Sequence, residues 1–361
     1  MKLPWAALLA CAFATAALAC GPKKEPKPKE TVVLVGGFRF GTEEDDIVFT
    51  SRISLLNADS NAYEDGPSLP EGIAVPAAVG YKGRLIVTGG GGGGSPAPFT
   101  PKRSTYTVSA AGVKRGADQP TTDTIARAYA SIGDTLFLCA GNGADTDRGP
   151  APISHDCHRY SMSEDKWSTL KARIPTNPDT KDVETYSMVA AADRYLYLVF
   201  VSTKKSGGTR ALDEQTQYIV YRLDTDETDA DWAVHSKTPV AENDAILLSS
   251  AALTADGKGI LSCGFAIVEG GEAINCAVYS LETTAWSPAP SMTGPTVGVG
   301  SPKLLRCGGR IFGFRHTFAD VPQAPVMVLV DGSTAWKALE QRSTNNGFSN
   351  FALACVREEK K

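Results

Sequence analysis

Cysteines, arginines and a few histidines carry most of the chemistry open to this 361-residue chain. Two of its eight cysteines, Cys11 and Cys20, lie in an N-terminal apolar segment, which leaves six: Cys139, Cys157, Cys263, Cys276, Cys307 and Cys355. An even number in an exported chain reads as a disulfide framework, with buried reduced thiols as the alternative if the chain stays in a reducing compartment. Zinc is not expected, because no Cys-x-x-Cys occurs and only His155 and His158 lie near Cys157. Cys263 and Cys276 flank CGFAIVEGGEAINC, and a two-residue turn at Glu269-Gly270 sets them opposite each other at a non-hydrogen-bonded pair, where side chains come closest. Cys139 and Cys157 hold the same positions in another pair of segments.

Two further motifs match each other: Phe38-Arg39-Phe40 and Phe314-Arg315-His316, each just past a short apolar run. Two guanidiniums sharing one site suit a carboxylate or another anion. Arg127 and Glu184 are candidates to extend that site, and solvated rim residues are the competing reading. The acidic runs Glu43-Glu44-Asp45-Asp46 and Asp145-Thr146-Asp147 lack the spacing of an EF-hand and read as solvated surface. Six consecutive glycines, Gly89 to Gly94, precede no Lys-Ser/Thr and no helix, so they read as a flexible loop and not a phosphate cradle. Gly-x-Ser-x-Gly and His-Glu-x-x-His are absent. No metal, no cofactor and no catalytic constellation are expected.

The ends of the chain are distinct. Leu3 to Ala19 is uncharged and rich in Ala and Leu, and Ala17-Leu18-Ala19 fits the small-x-small rule for cleavage, so residues 1–19 read as a signal peptide. A cysteine directly after that site resembles a bacterial lipobox, which implies lipidation of Cys20 and a membrane anchor. Ala17 stands where lipoboxes favour Leu, and plain secretion is the alternative. Residues 20–30, mostly Gly, Pro, Lys and Glu, form a Lys/Pro-rich linker with nothing to bury. The expected location is the cell envelope, in the periplasm or on the outer membrane, or otherwise outside the cell. Net charge is −4, which gives no basic field for nucleic acid.

The elements that must position these residues recur. Six segments begin with a short apolar strand: VVLVGGF (32–38), RLIVTGG (84–90), TLFLCAGN (135–142), YLYLVFV (195–201), GILSCGF (259–265) and RIFGF (310–314). Each is followed by a partner strand, and in four repeats a Trp follows at a similar offset: Trp167, Trp232, Trp286 and Trp336. Another apolar strand and a tight turn precede the first strand, as in AVPAAVGYKGR (74–84). The period of two and the lack of any helical period make the chain all-β. Spacing of this order is the mark of a repeat architecture.

The strand, Gly-Gly, Tyr, Trp pattern resembles kelch repeats from about residue 31 to 356, although the double Gly survives only as Gly36-Gly37 and Gly89-Gly90. The resemblance implies that residues 31–361 form a six-bladed β-propeller of four-stranded antiparallel blades. Repeat one lacks an innermost strand, and FALACV (351–356) is a strand without a repeat, so the C-terminal strand is expected to close the ring. In such a ring Cys307 and Cys355 fall on neighbouring blades and are expected to bridge, and Arg39 and Arg315 point at one mouth. The function implied is that of a monomeric module binding a protein or glycan through loops on one face. The alternative is a carbohydrate-active enzyme, since some exported six-bladed kelch proteins of similar layout interconvert sialic acid anomers.

Overall fold

The computed structural model describes residues 30–358 apart from 41–46, 58–61, 94–99, 121–124, 143–152, 176–183, 203–216, 228, 241–245, 269–270, 293–301, 316–325 and 340–350. The signal peptide, Cys20 and nearly all of the linker lie outside the described residues. Glu30, placed by the sequence at the end of the linker, is instead the first residue of a strand, because its carboxylate and backbone both find partners on the C-terminal strand.

Six four-stranded antiparallel sheets form a six-bladed β-propeller. Numbered in chain order, blades 2 to 6 begin with the innermost strands Ala77–Tyr81, Ile125–Ile132, Glu184–Ala191, Ile246–Leu253 and Lys303–Cys307. Each then turns through a short hairpin into its second strand: Arg84–Thr88, Thr135–Asn142, Tyr195–Ser202, Gly259–Val268 and Arg310–Phe314. Blade 1 differs. Its sheet runs Ala352–Arg357, Glu30–Val35, Ile53–Asn57, Ala62–Asp65, so its innermost strand comes from the C-terminal end and its second from the N-terminal end. Six residue pairs join these two strands, from Glu30 opposite Arg357 to Val35 opposite Ala352. Every apolar residue of Val32–Val35 and Phe351–Ala354 is almost fully buried, and this burial, worth about 25 cal/mol per Å² of apolar surface, favours closure of the ring.

The tryptophans pack blade on blade. Trp167 donates its Nε1–H to Ala117 O at 3.1 Å, and Trp336 donates to Pro290 O at 2.8 Å, each reaching the preceding blade. Trp286 lies 5.1 Å from the Tyr218 ring of blade 4, and Trp232 joins the core it shares with Ala172 and Ile174 of blade 3. A Trp on or just before the outer strand therefore fills a seam between blades, which explains its recurrence at a similar offset in four of the repeats.

The glycine run is not wholly a loop. Gly91–Gly92 form a short ladder with Thr100–Pro101, and Gly90, at φ 83°, is so close to neighbouring backbone that a Cβ would sit 2.5 Å from Ala74 O. Glycine is required there because the chain passes directly over residues 72–76, which leaves no room for a side chain. Gly36 meets the same segment, with a Cβ 2.3 Å from Ile73 O.

Three disulfides staple the ring. Cys139–Cys157 and Cys263–Cys276 each join strands two and three of one blade, with Cα atoms 4.2 and 4.1 Å apart. Those distances match the close, non-hydrogen-bonded pairs of an antiparallel ladder, about 4.5 Å. Cys307–Cys355 joins the innermost strands of blades 6 and 1, and such bridges fit an oxidising compartment.

Candidate functional site

The six innermost strands enclose a central channel containing a cavity of about 360 Å³. Its wall is mostly small or apolar: Ala78, Gly80, Ala130, Ala190, Ala251 and Ala354 are examples. Side chains of an innermost strand alternate between the two flanking seams, so that mainly backbone and short residues face the axis. The wall also holds Lys303, Arg306, Tyr129 and the serines Ser131, Ser187 and Ser250, and among the described residues no Asp, Glu or His.

Tyr129 narrows one side. Its hydroxyl donates to Leu353 O at 3.4 Å, reaching from blade 3 across blade 2 to blade 1. Gly80 of blade 2 permits that approach: a Cβ there would lie 2.0 Å from Cys355 O, so the innermost strands of blades 1 and 2 are in backbone contact. Burial raises the Tyr129 phenol to about 12.

Lys303 reaches the same end of blade 1 from its other flank, in blade 6. Its Nζ donates to Phe351 O at 2.5 Å and lies 5.9 Å from the centre of the Phe351 ring. Burial lowers its pKa to about 8. Arg306, one turn of the pleat further along, donates to Ala255 O at 2.6 Å in the hairpin of blade 5.

The arginines and the glutamate singled out by the sequence share one face of the ring. In each blade the start of strand one pairs with the end of strand two, as Glu184 does with Ser202 and Lys303 with Phe314. Arg127 and Glu184 lie near the starts of innermost strands, while Arg39 and Arg315 follow the ends of second strands. The side chains of Arg39, Arg127 and Glu184, and all of His316, lie outside the described residues. Arg315 is no solvated rim residue: it is 5% exposed, and burial lowers its pKa.

Arg39 and Arg315 do not hold equivalent places in their blades. Cys355 faces Val32 and Cys307 faces Arg310, so the bridge sets a common height for blades 1 and 6. The run from Val32 to Arg39 is longer than that from Arg310 to Arg315, and Arg39 belongs to a separate hairpin, Phe38–Phe40 with Ile47–Phe49, where it pairs with Val48. Lys303, Arg306 and Tyr129 were missed by sequence reasoning. For Lys303 a signal existed: Lys303, Leu305 and Cys307 alternate along one strand, so the lysine shares the face of a bridging cysteine.

No family model matches the chain, and no curated protein matches it in sequence. Among solved structures the chain is similar to one described as the structure of YjhT, with a TM-score of 0.58 and 10% identity over 88% of this chain and 99% of that one. At that identity the likeness concerns the fold, and it extends over most of the chain.

Proposed function

We propose that the chain is an exported, membrane-tethered propeller of kelch type that binds a protein or glycan ligand through loops on the face where its innermost strands begin. The observation that carries this reading is the channel itself: a rigid ring of six inner strands around a cavity with a mostly small, apolar wall and two cationic side chains. Such a wall receives a projecting group of a ligand, and its cations favour an acidic one. Three disulfides support export, and the Lys/Pro-rich stretch before Glu30 suits a tether from a lipidated Cys20. Fold-level analogy contributes to the binding role.

Glycan-array binding of the wild type against Arg39→Ala and Arg315→Ala tests the reading. A profile that loses its acidic glycans supports a ligand at this face, and unchanged profiles rule out a site shared by the two arginines. Mass spectrometry of the mature N-terminus reads the tether directly, which fails if Cys20 carries no acyl chains.

The second reading is a carbohydrate-active enzyme, similar to sialic-acid mutarotases. Two ionisable groups on the channel wall, Lys303 and Tyr129, favour it.

A further inference from the structure

Alternation assigns the side chains of blade 6's innermost strand to two seams. Lys303, Leu305 and Cys307 face blade 1: Cys307 bridges to Cys355, Leu305 packs in the core that holds Phe314 and Phe351, and Lys303 reaches Phe351. Leu304 and Arg306 face blade 5. Lys303 is thus an amine on the wall of a cavity, held by one main-chain carbonyl and one ring face. No described carboxylate pairs with it. Among the described residues an ammonium in that position gains no counter-ion for the hydration it surrenders, which shifts the balance toward the neutral amine. Near pH 8 a large share of Lys303 carries a free lone pair. Few charges bear on it. Arg306 faces the opposite seam, Arg315 follows the neighbouring strand, and Arg357 at the far end of blade 1's innermost strand is paired with Glu30.

We propose that Lys303 captures a small anionic carbonyl compound of the 2-oxo acid class as a reversible imine on the channel wall. This deepens the channel reading above and rests on it. The neutral Nζ attacks the keto carbon, a C–N bond forms, the carbonyl π pair moves to oxygen, and that oxygen takes one proton from the attacking nitrogen. The carbinolamine then expels that oxygen as water, with one proton drawn from solvent, leaving a protonated imine. Hydrolysis reverses each step, and no oxidant or reductant is needed. A lysine desolvated in an apolar pocket is the form of lysine that does this chemistry. The cavity of about 360 Å³ admits a small acid, and the Ser131, Ser187 and Ser250 hydroxyls in its wall supply donors for a carboxylate.

The test is reductive trapping on the full, oxidised protein. Pyruvate with cyanoborohydride is added at a series of pH values, and alkylated lysines are mapped by peptide mass spectrometry. Lys303 is expected to label faster than the exposed Lys114 and Lys258 by on the order of tenfold or more at neutral pH, because a larger share of its amine is neutral than of theirs. Its rate should level off just above pH 8 while theirs keep rising, and acetone, which lacks the carboxylate, should label it more slowly. Lys303→Arg keeps the charge and should remove only the fast label. Labelling of Lys303 no faster than Lys114 in the folded protein overturns the proposal. If array binding survives that result, imine capture alone is lost. If Lys303 is trapped while no arrayed glycan binds, capture stands and the glycan form of the loop-face reading falls.

Discussion

Blades 1 and 5 have the same four-stranded plan and are held together by different means. In blade 5 the innermost strand is continuous at its lower end with strand two, through a turn in which Thr254 N donates to Gly259 O and Gly257 N to Thr254 O. In blade 1 that turn does not exist, because the strands there are the two ends of the described chain. Two contacts stand in its place: the Arg357 guanidinium donates to Glu30 Oε1 at 2.8 and 2.5 Å, and Cys355 is bridged to Cys307. Chain ends fray unless tied down. The bridge ties this end at the level where every other blade has a hairpin.

The seams differ correspondingly. Blade 5 meets blade 4 through aromatic packing, with Tyr279 and Trp286 5.2 Å apart and His235 5.4 and 5.9 Å from Tyr197 and Tyr279. Blade 1 meets blade 6 through a disulfide, a lysine and phenylalanines, Phe314 lying 5.9 Å from Phe351. Packing suffices where chain continuity already limits the strand's freedom. At the open end a covalent constraint adds what continuity cannot.

If this contrast is right, removing the bridge of blade 1 has the largest effect. Cys307→Ser with Cys355→Ser should cost about 4 kcal/mol, from the entropy of its long loop, against about 3 kcal/mol for Cys263→Ser with Cys276→Ser. Calorimetry under non-reducing conditions ranks the two, and hydrogen exchange should rise first at 352–357. A larger loss from the blade 5 pair would break the comparison. Next comes the packed seam, where Trp286→Ala should cost about 3 kcal/mol in denaturant unfolding while leaving exchange at 352–357 unchanged. Gly80→Ala, which forces a Cβ against Cys355 O, should cost about 1–3 kcal/mol and weaken the C-terminal strand selectively.

The smallest effects lie in the pH dependence, at opposite ends of the scale. Burial lowers the His235 pKa below 6.5, with Arg222 adding to the effect, so the unfolded chain binds the proton first and stability falls as pH drops below 6.5. Burial lowers the Lys303 pKa from 10.5 to about 8, so stability rises between pH 8 and 10.5 as the unfolded chain alone stays protonated. His235→Phe should flatten the acid limb and Lys303→Met the alkaline one, each leaving the other limb in place.

Much of this contrast is legible in the sequence. The absence of an innermost strand before Val32 and the extra strand at 351–356 predict ring closure, and the turn at Glu269-Gly270 predicts the Cys263–Cys276 pairing. These are local facts: a tight turn sets the register of its two strands, and a period of two sets their faces. The glycine run was read as a loop because the sequence does not show residues 72–76 passing beneath Gly90 and Gly92.

The sequence by itself therefore determined the strands, the blades and the two hairpin bridges, since each depends on neighbours a few residues along the chain or across one turn, and it showed the closing strand only through the repeat count, as the strand missing from the first repeat and left over after the last. Tertiary structure alone decided that Arg315 is buried, that Arg39 lies on a separate hairpin, that Tyr129 crosses to Leu353 and that Lys303 borders the channel. Those outcomes depend on the heights and separations of blades distant in sequence, which are set by how six twisted sheets pack around a common axis and not by the pattern of any one of them.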